Sequence, residues 1–332
     1  MILSVLDLAP VSVGSNEREA LRRCIELAGK VEALGYRRFW VAEHHNMPSI
    51  ASSAPDLLIG HVATATSSIR VGSGGVMLPN WAPLAVAERF ATLEALHPGR
   101  IDLGIGRAPG TDPRTAYALR RVDPRGGPEL PELLDELEAC FAGSFPPGHP
   151  FAGMRAVPGR GLQPPMWLLG SSTYSAQLAG RRGLPFAFAY HFSAEEAEPA
   201  MRLYRQCFLP SAACPQLHAM LTVSVMCGET PERARELAMP MALAWVRIRS
   251  GRLAPIPTVE EALAYPWTPT ERAIAEAYMQ TQVIGDPGQV KEKLQALADR
   301  YRADEVMVTT IMHGFEDRVR SFELLAEAFP QR

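Results

Sequence analysis

RFWVAEHHN, residues 38–46, is the stretch on which the fold turns. Arg38 to Ala42 reads as a buried strand, and Glu43, His44 and His45 follow it with no spacer. A carboxylate and two imidazoles therefore crowd the point where a strand runs out. That point is either the start of solvated surface or the mouth of a pocket, and the surrounding pattern bears on the choice.

Upstream, Ile2 to Leu8 forms a first apolar strand. Asn16, with Glu19 three residues on, signals a capping-box helix start. Leu21, Cys24, Ile25, Ala28 and Val31 recur at helical spacing until Gly35 ends that helix. Downstream the alternation continues. A helix is predicted over Pro55 to Ser67, a strand over Ile69 to Leu78, a helix over Pro83 to Leu96 and a strand over Ile101 to Ile105. TDPRTAYALRRVDPRGGPELP, residues 111–131, reads as a long loop with short helical pieces, followed by a helix over Glu132 to Phe141. GSFPPGHPFAGMRAVPGRG, residues 143–161, is too rich in Gly and Pro for regular structure. Strands follow at Met166 to Leu169, with a helix over Tyr174 to Arg182 behind it, at Phe186 to Tyr190, with a helix from Ala194, and at Ala219 to Met226. Residues 239–282 break the rhythm and read as an insertion. A helix over Val290 to Tyr301, a strand over Glu305 to Ile311 and a helix over Phe315 to Phe329 complete the chain.

Eight strand–helix units with near-continuous apolar strands predict a parallel sheet covered by helices, and eight is the number that closes a (β/α)8 barrel. The expected fold class is therefore an α/β TIM barrel with insertions, the main one at 240–282 before the last strand–helix unit. An open doubly wound sheet is the alternative. No composition shift divides residues 1–332, which are read as one domain with 240–282 as a possible lid.

The 332 residues suffice for a large core. A net charge of −3 and a pI near 6.3 give no electrostatic case for nucleic acid or an anionic membrane surface. No segment reads as a bilayer span, and the first residues, MILSVLDLAPV, read as a strand carrying Asp7 rather than as a signal peptide. Five cysteines without a CxxC pair read as reduced core thiols of a cytoplasmic protein.

In such a barrel the active site lies at the C-terminal strand ends. Glu43, His44 and His45 then face the pocket mouth, but adjacent side chains point alternately, so the two histidines cannot both enter it. One is the functional residue, and the other, with Glu43, braces it. Gly72, Gly74 and Gly75 inside the third strand indicate a bulge or a flat ligand pressed against the backbone. GIGRAPG, residues 104–110, superficially resembles a dinucleotide fingerprint. Pro109 occupies the third glycine position and Arg107 crowds the turn, which argues against that reading. Arg107 is instead a candidate anion ligand. Ser171, Ser172, Thr173 and Ser175 cluster where a helix opens, as a phosphate site or as an ordinary helix cap.

Taken together, LDLAPV, WVAEHHN, RVGSGGVMLPNWAP, RIDLGIGRAPGTD and LLGSSTYSAQLAGRRGLPFAFAYHF resemble the bacterial luciferase-like flavin monooxygenases, as do DEVMVTTIM and EDRVRSFELLAEAF. The resemblance runs over nearly the whole chain, with 114–160 and 240–280 weakly anchored. It implies a barrel that binds FMN at its C-terminal mouth, with Gly74–Gly75 where the family often has a non-prolyl cis peptide against the flavin. Arg107, Ser172, Tyr174 and Ser175 would hold the phosphate, and Ser171, Val76 and His191 complete the implied cofactor contacts. His44 falls on the family's catalytic histidine, with Glu43 and His45 beside it. The implied reaction takes reduced FMN from a separate reductase, forms a C4a-peroxyflavin with dioxygen and oxidises a small apolar or aromatic substrate; a homodimer is usual. Gly106 and Ala82 stand where luciferase's catalytic subunit has a cysteine and a histidine, which puts light emission in doubt. Trp245, Tyr265 and Trp267 are candidates to line the substrate site. Three rival readings are a deazaflavin-dependent reductase or dehydrogenase, a flavin-binding protein without turnover, and a metal-dependent hydrolase using Glu43, His44 and His45. For the hydrolase, adjacent histidines chelate one ion poorly, and only His191 and His313 are available later in the chain.

Overall fold

The computed structural model describes residues 1–120 and 129–330. Its strands are β1 (Ile2–Asp7), β2 (Arg38–Val41), β3 (Arg70–Ser73), β4 (Val76–Met77), β5 (Ile101–Gly106), β6 (Met166–Gly170), β7 (Phe186–Ala189), β8 (Ala219–Cys227), β9 (Val283–Gly285) and β10 (Glu305–Thr309). Every strand pairing is parallel, and the sheet closes because β10 pairs both β1 and β8. Counting β3 and β4 as one interrupted strand, and β9 as a short addition beside the end of β8, eight strands make the (β/α)8 barrel. The open-sheet alternative is thereby excluded.

The helices are α1 (Glu17–Ala33), α2 (Pro55–Ala65), α3 (Pro83–Leu96), α4 (Pro113–Arg120), α5 (Leu130–Ala142), α6 (Thr173–Arg182), α7 (Ala197–Cys207), α8 (Pro231–Arg249), α9 (Val259–Ala264), α10 (Pro269–Gln280), α11 (Pro287–Tyr301) and α12 (Phe315–Ala328). Local signals set many of their ends. Asn16 caps α1 by accepting from the Glu19 backbone N–H, and Gly35 follows that helix at φ +85°. Helix α5 starts two residues before the expected Glu132, because Glu129 and Glu132 form a reciprocal capping box around Pro131. Within the expected loop 111–131, α4 forms a regular helix, while residues 121–128 lie outside the described residues. Residues 143–161 hold no helix or strand, as their Gly and Pro content predicts.

Alternation along each strand sorts side chains into two cores. Leu3 and Val5 join the large outer cluster between sheet and helices, whereas Leu6 joins Trp40, Trp167, Ala187, Met220 and Met307 inside the barrel. Below that apolar layer, at the strands' N-terminal ends, sits a buried charged plug. Arg38 bonds Asp102 at 2.8 Å and Glu305 at 3.0 Å, Arg70 bonds Asp102 at 2.5 Å, and Ser4 donates to Glu305.

One sequence expectation needs adjustment: the third strand. The strand expected over Ile69–Leu78 is split. Four steps separate Gly72 from Val76, but three separate their partners Asp102 and Ile105, so the edge beside β5 carries one extra residue. Residues 239–282, read as an insertion, are largely helical, and α8 runs across the start of that segment with Pro240 inside it. That segment, with α9 and α10, packs a separate apolar cluster around Met241, Val246, Ile256 and Met279 against Met226 and Met312. No helix among the described residues is long and apolar enough to cross a membrane.

Candidate functional site at the C-terminal rim

The extra residue at the β3–β4 break turns the Gly74–Gly75 peptide, which is cis, toward a cleft of about 910 Å³ at the barrel mouth. Space is tight at both glycines, and at Gly75 the obstacle is main chain. A Cβ on Gly74 would lie 2.5 Å from Leu6, and one on Gly75 would lie 2.8 Å from the Gly104 carbonyl. Bulge and ligand-facing backbone, posed as alternatives by the sequence, are thus two sides of one feature. Leu6, Leu8, Ala42, Ala187 and Met307 make the apolar floor.

Alternation separates the EHH residues as expected. Ala42 and His44 face the cleft, while Glu43 and His45 do not line it. Glu43 is fully buried, and its carboxylate accepts from Met77 N (2.9 Å), Trp81 Nε1 (3.0 Å) and Asn80 Nδ2 (3.3 Å), with His45 Nε2 at 2.9 Å. The expected brace therefore exists but holds a different object. It fastens the end of β2 to the segment that carries the glycine pair, rather than to His44. Glu43 and His45, expected beside His44 as catalytic residues, do not line this cleft, and the Glu43 carboxylate is occupied by donors from its wall.

His44 is pushed below the ordinary histidine range chiefly by burial, with the Gly110 backbone and the Glu43 charge pulling partly back. Across the mouth, His191 Nδ1 lies 3.1 Å from the Thr222 carbonyl. A carbonyl only accepts, so Nδ1 carries the proton and Nε2 keeps its lone pair. Burial lowers the His191 pKa to about 4, and the nearby His44 adds to the effect. Both imidazoles are consequently neutral near pH 7.

The depressed His191 pKa has a sign that can be tested. Between its ordinary 6.5 and about 4, the unfolded chain binds more protons than the folded one. His191 therefore contributes stability that is fully present above 6.5 and is lost as pH falls toward 4. Denaturant midpoints measured from pH 7 to 4 should fall less steeply in His191→Asn than in the parent. Parallel curves would show that His191 does not titrate in this way.

At the far end of the cleft, Arg107, Ser171, Ser172 and Ser175 line one corner. Ser172 is the N-cap of α6 but makes no side-chain cap bond, so its hydroxyl and the helix's first N–H groups are uncommitted. The Arg107 guanidinium stacks on Tyr174 at 4.4 Å and has no ion-pair partner among the described residues. Tyr174 thus orients the arginine instead of lining the cleft, and Val76 lies in the wall at 4% exposure. A guanidinium with no carboxylate partner among the described residues, beside an uncapped helix start, makes an anion cradle, and the residues present fit the phosphate of a flavin nucleotide.

A second cleft of about 790 Å³ adjoins the first and shares Leu8, His44, His191 and Phe192 with it. Its outer wall comes from the 240–282 segment through Met241, Trp245, Ile248, Ile256 and Tyr278. Of the three aromatics expected there, only Trp245 lines it; Tyr265 and Trp267 pack edge-on against each other, with centroids 5.1 Å apart. Sequence reasoning missed Ser224, Gln282 and Thr309 in this cleft, and no local motif flags them. Among the described residues no group of three or more His, Cys, Asp or Glu is placed to hold a metal ion.

Fold and site define the class: a (β/α)8 barrel protein with its ligand clefts at the C-terminal rim of the strands. Within that class the chain belongs to the luciferase-like monooxygenase family, whose model matches residues 1–303. A luciferase-like monooxygenase of Escherichia coli (strain K12) is 43% identical over 321 residues, covering 97% of this chain and 95% of that protein. The crystal structure of apo-MsnO8 superposes with a TM-score of 0.91 at 38% identity, covering 100% of this chain and 99% of the other. The oxygenase component of a flavin-dependent trigonelline monooxygenase from Acinetobacter baylyi (strain ATCC 33305 / BD413 / ADP1) is 25% identical over 344 residues, 96% of this chain and 92% of its own. The family therefore includes flavin-dependent monooxygenases.

Proposed function

We propose that this chain is the oxygenase of a two-component system that binds reduced FMN, supplied by a separate reductase, and inserts oxygen into a small, largely apolar substrate. One observation carries the reading: the anion cradle, the backbone platform and a neutral imidazole pair line a single cleft. Arg107, Ser172, Ser175 and the start of α6 would hold the FMN phosphate. Gly74–Gly75 and the apolar floor would take the ring. When bound, the reduced flavin supplies the electrons that activate dioxygen.

The protein's own work is placement and exclusion of water. The apolar floor and the 240–282 wall keep solvent from the ring and from the second cleft, where the substrate would sit. His44, the residue common to both clefts on the β2 side, is the group placed to take or give a proton between ring and substrate. Glu43 and His45 are positioning residues that fix the glycine platform.

The test is an anaerobic titration with reduced FMN and with reduced deazaflavin, followed by exposure to oxygen. FMN should bind and reoxidise more slowly than free flavin; preferential deazaflavin binding would replace this reading with a dehydrogenase. Arg107→Ala should weaken FMN about tenfold to a hundredfold, the worth of one charge-assisted phosphate contact, and leave riboflavin affinity unchanged. Equal losses for both ligands would place the phosphate elsewhere.

A further inference from the structure

The second cleft, whose role as substrate site rests on the reading above, is lined by two residues that each carry a buried polar atom the protein itself leaves unsatisfied. Gln282 is 6% and Thr309 3% exposed, and both line this cleft. Among buried side-chain N and O atoms of the described residues, only Gln282 Oε1, Thr309 Oγ1 and Glu94 Oε2 lack a hydrogen-bond partner, and Glu94 lines neither cleft. Two of the three residues that carry such atoms thus line one cavity. Buried polar atoms without partners are uncommon in folded proteins, and in a cavity they point to a group that arrives from outside.

The chemistry of that group follows from what each atom has left to offer. Gln282 Nε2 donates to the Tyr278 carbonyl at 3.2 Å and to Thr281 Oγ1 at 2.6 Å. A carbonyl cannot donate, so the amide nitrogen must face it, and Oε1 is left as an open acceptor. It can be satisfied only by a donor. Thr309 ends β10 opposite Ser224 of β8 in the strand register. The Ser224 hydroxyl is engaged with Tyr278 and near the Met226 sulfur at 3.9 Å, while the Thr309 hydroxyl is free to donate or accept.

The lining also restricts charge. Among the described residues it contains no Asp, Glu, Lys or Arg. Its titratable groups are His44, His191 and Tyr278; burial holds both imidazoles toward their neutral form and pushes the Tyr278 phenol up, so it too stays neutral. An ionised ligand would lose its hydration here and meet no countercharge.

We propose that the second cleft selects an uncharged, largely apolar substrate by a hydrogen-bond donor, such as an amide N–H, which Gln282 Oε1 accepts while the Thr309 hydroxyl serves the same polar group. Gln282 and Thr309 are the specificity-determining residues of the cleft.

Three probes of one shape test this: N-benzylacetamide, its N-methyl derivative, which lacks the donor, and N-acetylphenylglycine, which adds a carboxylate. Affinities are read by calorimetry and by the fluorescence of Trp245, with and without FMN. N-benzylacetamide should bind about tenfold to a hundredfold more tightly than either relative, as expected where a buried acceptor is otherwise left unpaired. Gln282→Leu should abolish the preference for the N–H while keeping the preference against the carboxylate. Because Gln282→Leu also removes the bonds to Tyr278 and Thr281, Thr309→Val provides a second variant of near-identical shape that should weaken the acetamide alone. Equal affinities of the parent for all three probes, including no binding of any into the millimolar range, would overturn the inference. So would tightest binding of the carboxylate, or an N–H preference that survives in Gln282→Leu. Flavin uptake is scored separately. A protein that discriminates the probes but takes up no flavin refutes the oxygenase reading alone; one that binds FMN but does not discriminate refutes this inference alone.

Discussion

Replacing His44 with alanine is expected to lower turnover by about a hundredfold to ten-thousandfold, the range that a positioned acid–base group contributes. FMN affinity should hardly change, because the phosphate cradle stands on β5 and β6 at the other end of the cleft. The effect should appear in kcat more than in KM. Since burial holds His44 below the ordinary 6.5, turnover in the parent should fall on the acid side only below that value. The variant should lose that acid limb. Steady-state kinetics across pH, paired with a flavin titration, checks both points, and an unchanged kcat in His44→Ala would remove the residue from the chemistry.

The second large effect concerns stability and arises at the opposite end of the barrel. Asp102 is fully buried and accepts from Arg38 Nη1 at 2.8 Å, from Arg70 Nε at 3.0 Å and from Trp40 Nε1 at 3.1 Å. Asp102→Ala would leave the buried Arg38 with Glu305 alone and the half-buried Arg70 without its carboxylate partner. Breaking a buried ion pair from one side costs about 3–5 kcal/mol, because the remaining charge stays buried and uncompensated. A clear drop in the urea midpoint is therefore expected, with FMN affinity per folded molecule retained. The same plug explains Gly72: a Cβ there would lie 2.7 Å from Asp102 Cβ and 2.8 Å from Trp40 Nε1. A midpoint equal to the parent's would mean that the plug contributes nothing net, as some buried ionic networks do.

These two effects probe the two ends of one cylinder, and they differ in how far the sequence exposed them. His44 could be found from sequence because its signal is local. An apolar strand ran directly into three ionisable residues, and the strand's two-residue period already required the histidines to diverge. The uncommitted Ser172 at the head of α6 and the lone Arg107 after β5 were visible for the same reason, since strand ends and helix starts are marked by neighbouring residues. The glycine pair was half legible: the sequence showed that the strand was interrupted, but not that wall packing and cleft exposure were both the cause.

Arg38, Arg70, Asp102 and Glu305, by contrast, lie on four different strands, and each looks like an isolated polar residue at or near a strand start. Gln282 and Thr309 likewise come from separate turns of the chain. The sequence by itself determined the repeat, the number of strand–helix units, the side of each strand a residue faces and the rim on which a site belongs, because all of these follow from backbone periods of a few residues. Which partners meet across the barrel, that Glu43 secures the wall instead of the histidine, and that two residues with orphaned atoms line one cavity were decided only by closure of the sheet. Closure is set by the register of every strand on its neighbour at once, and no short stretch of residues carries that information.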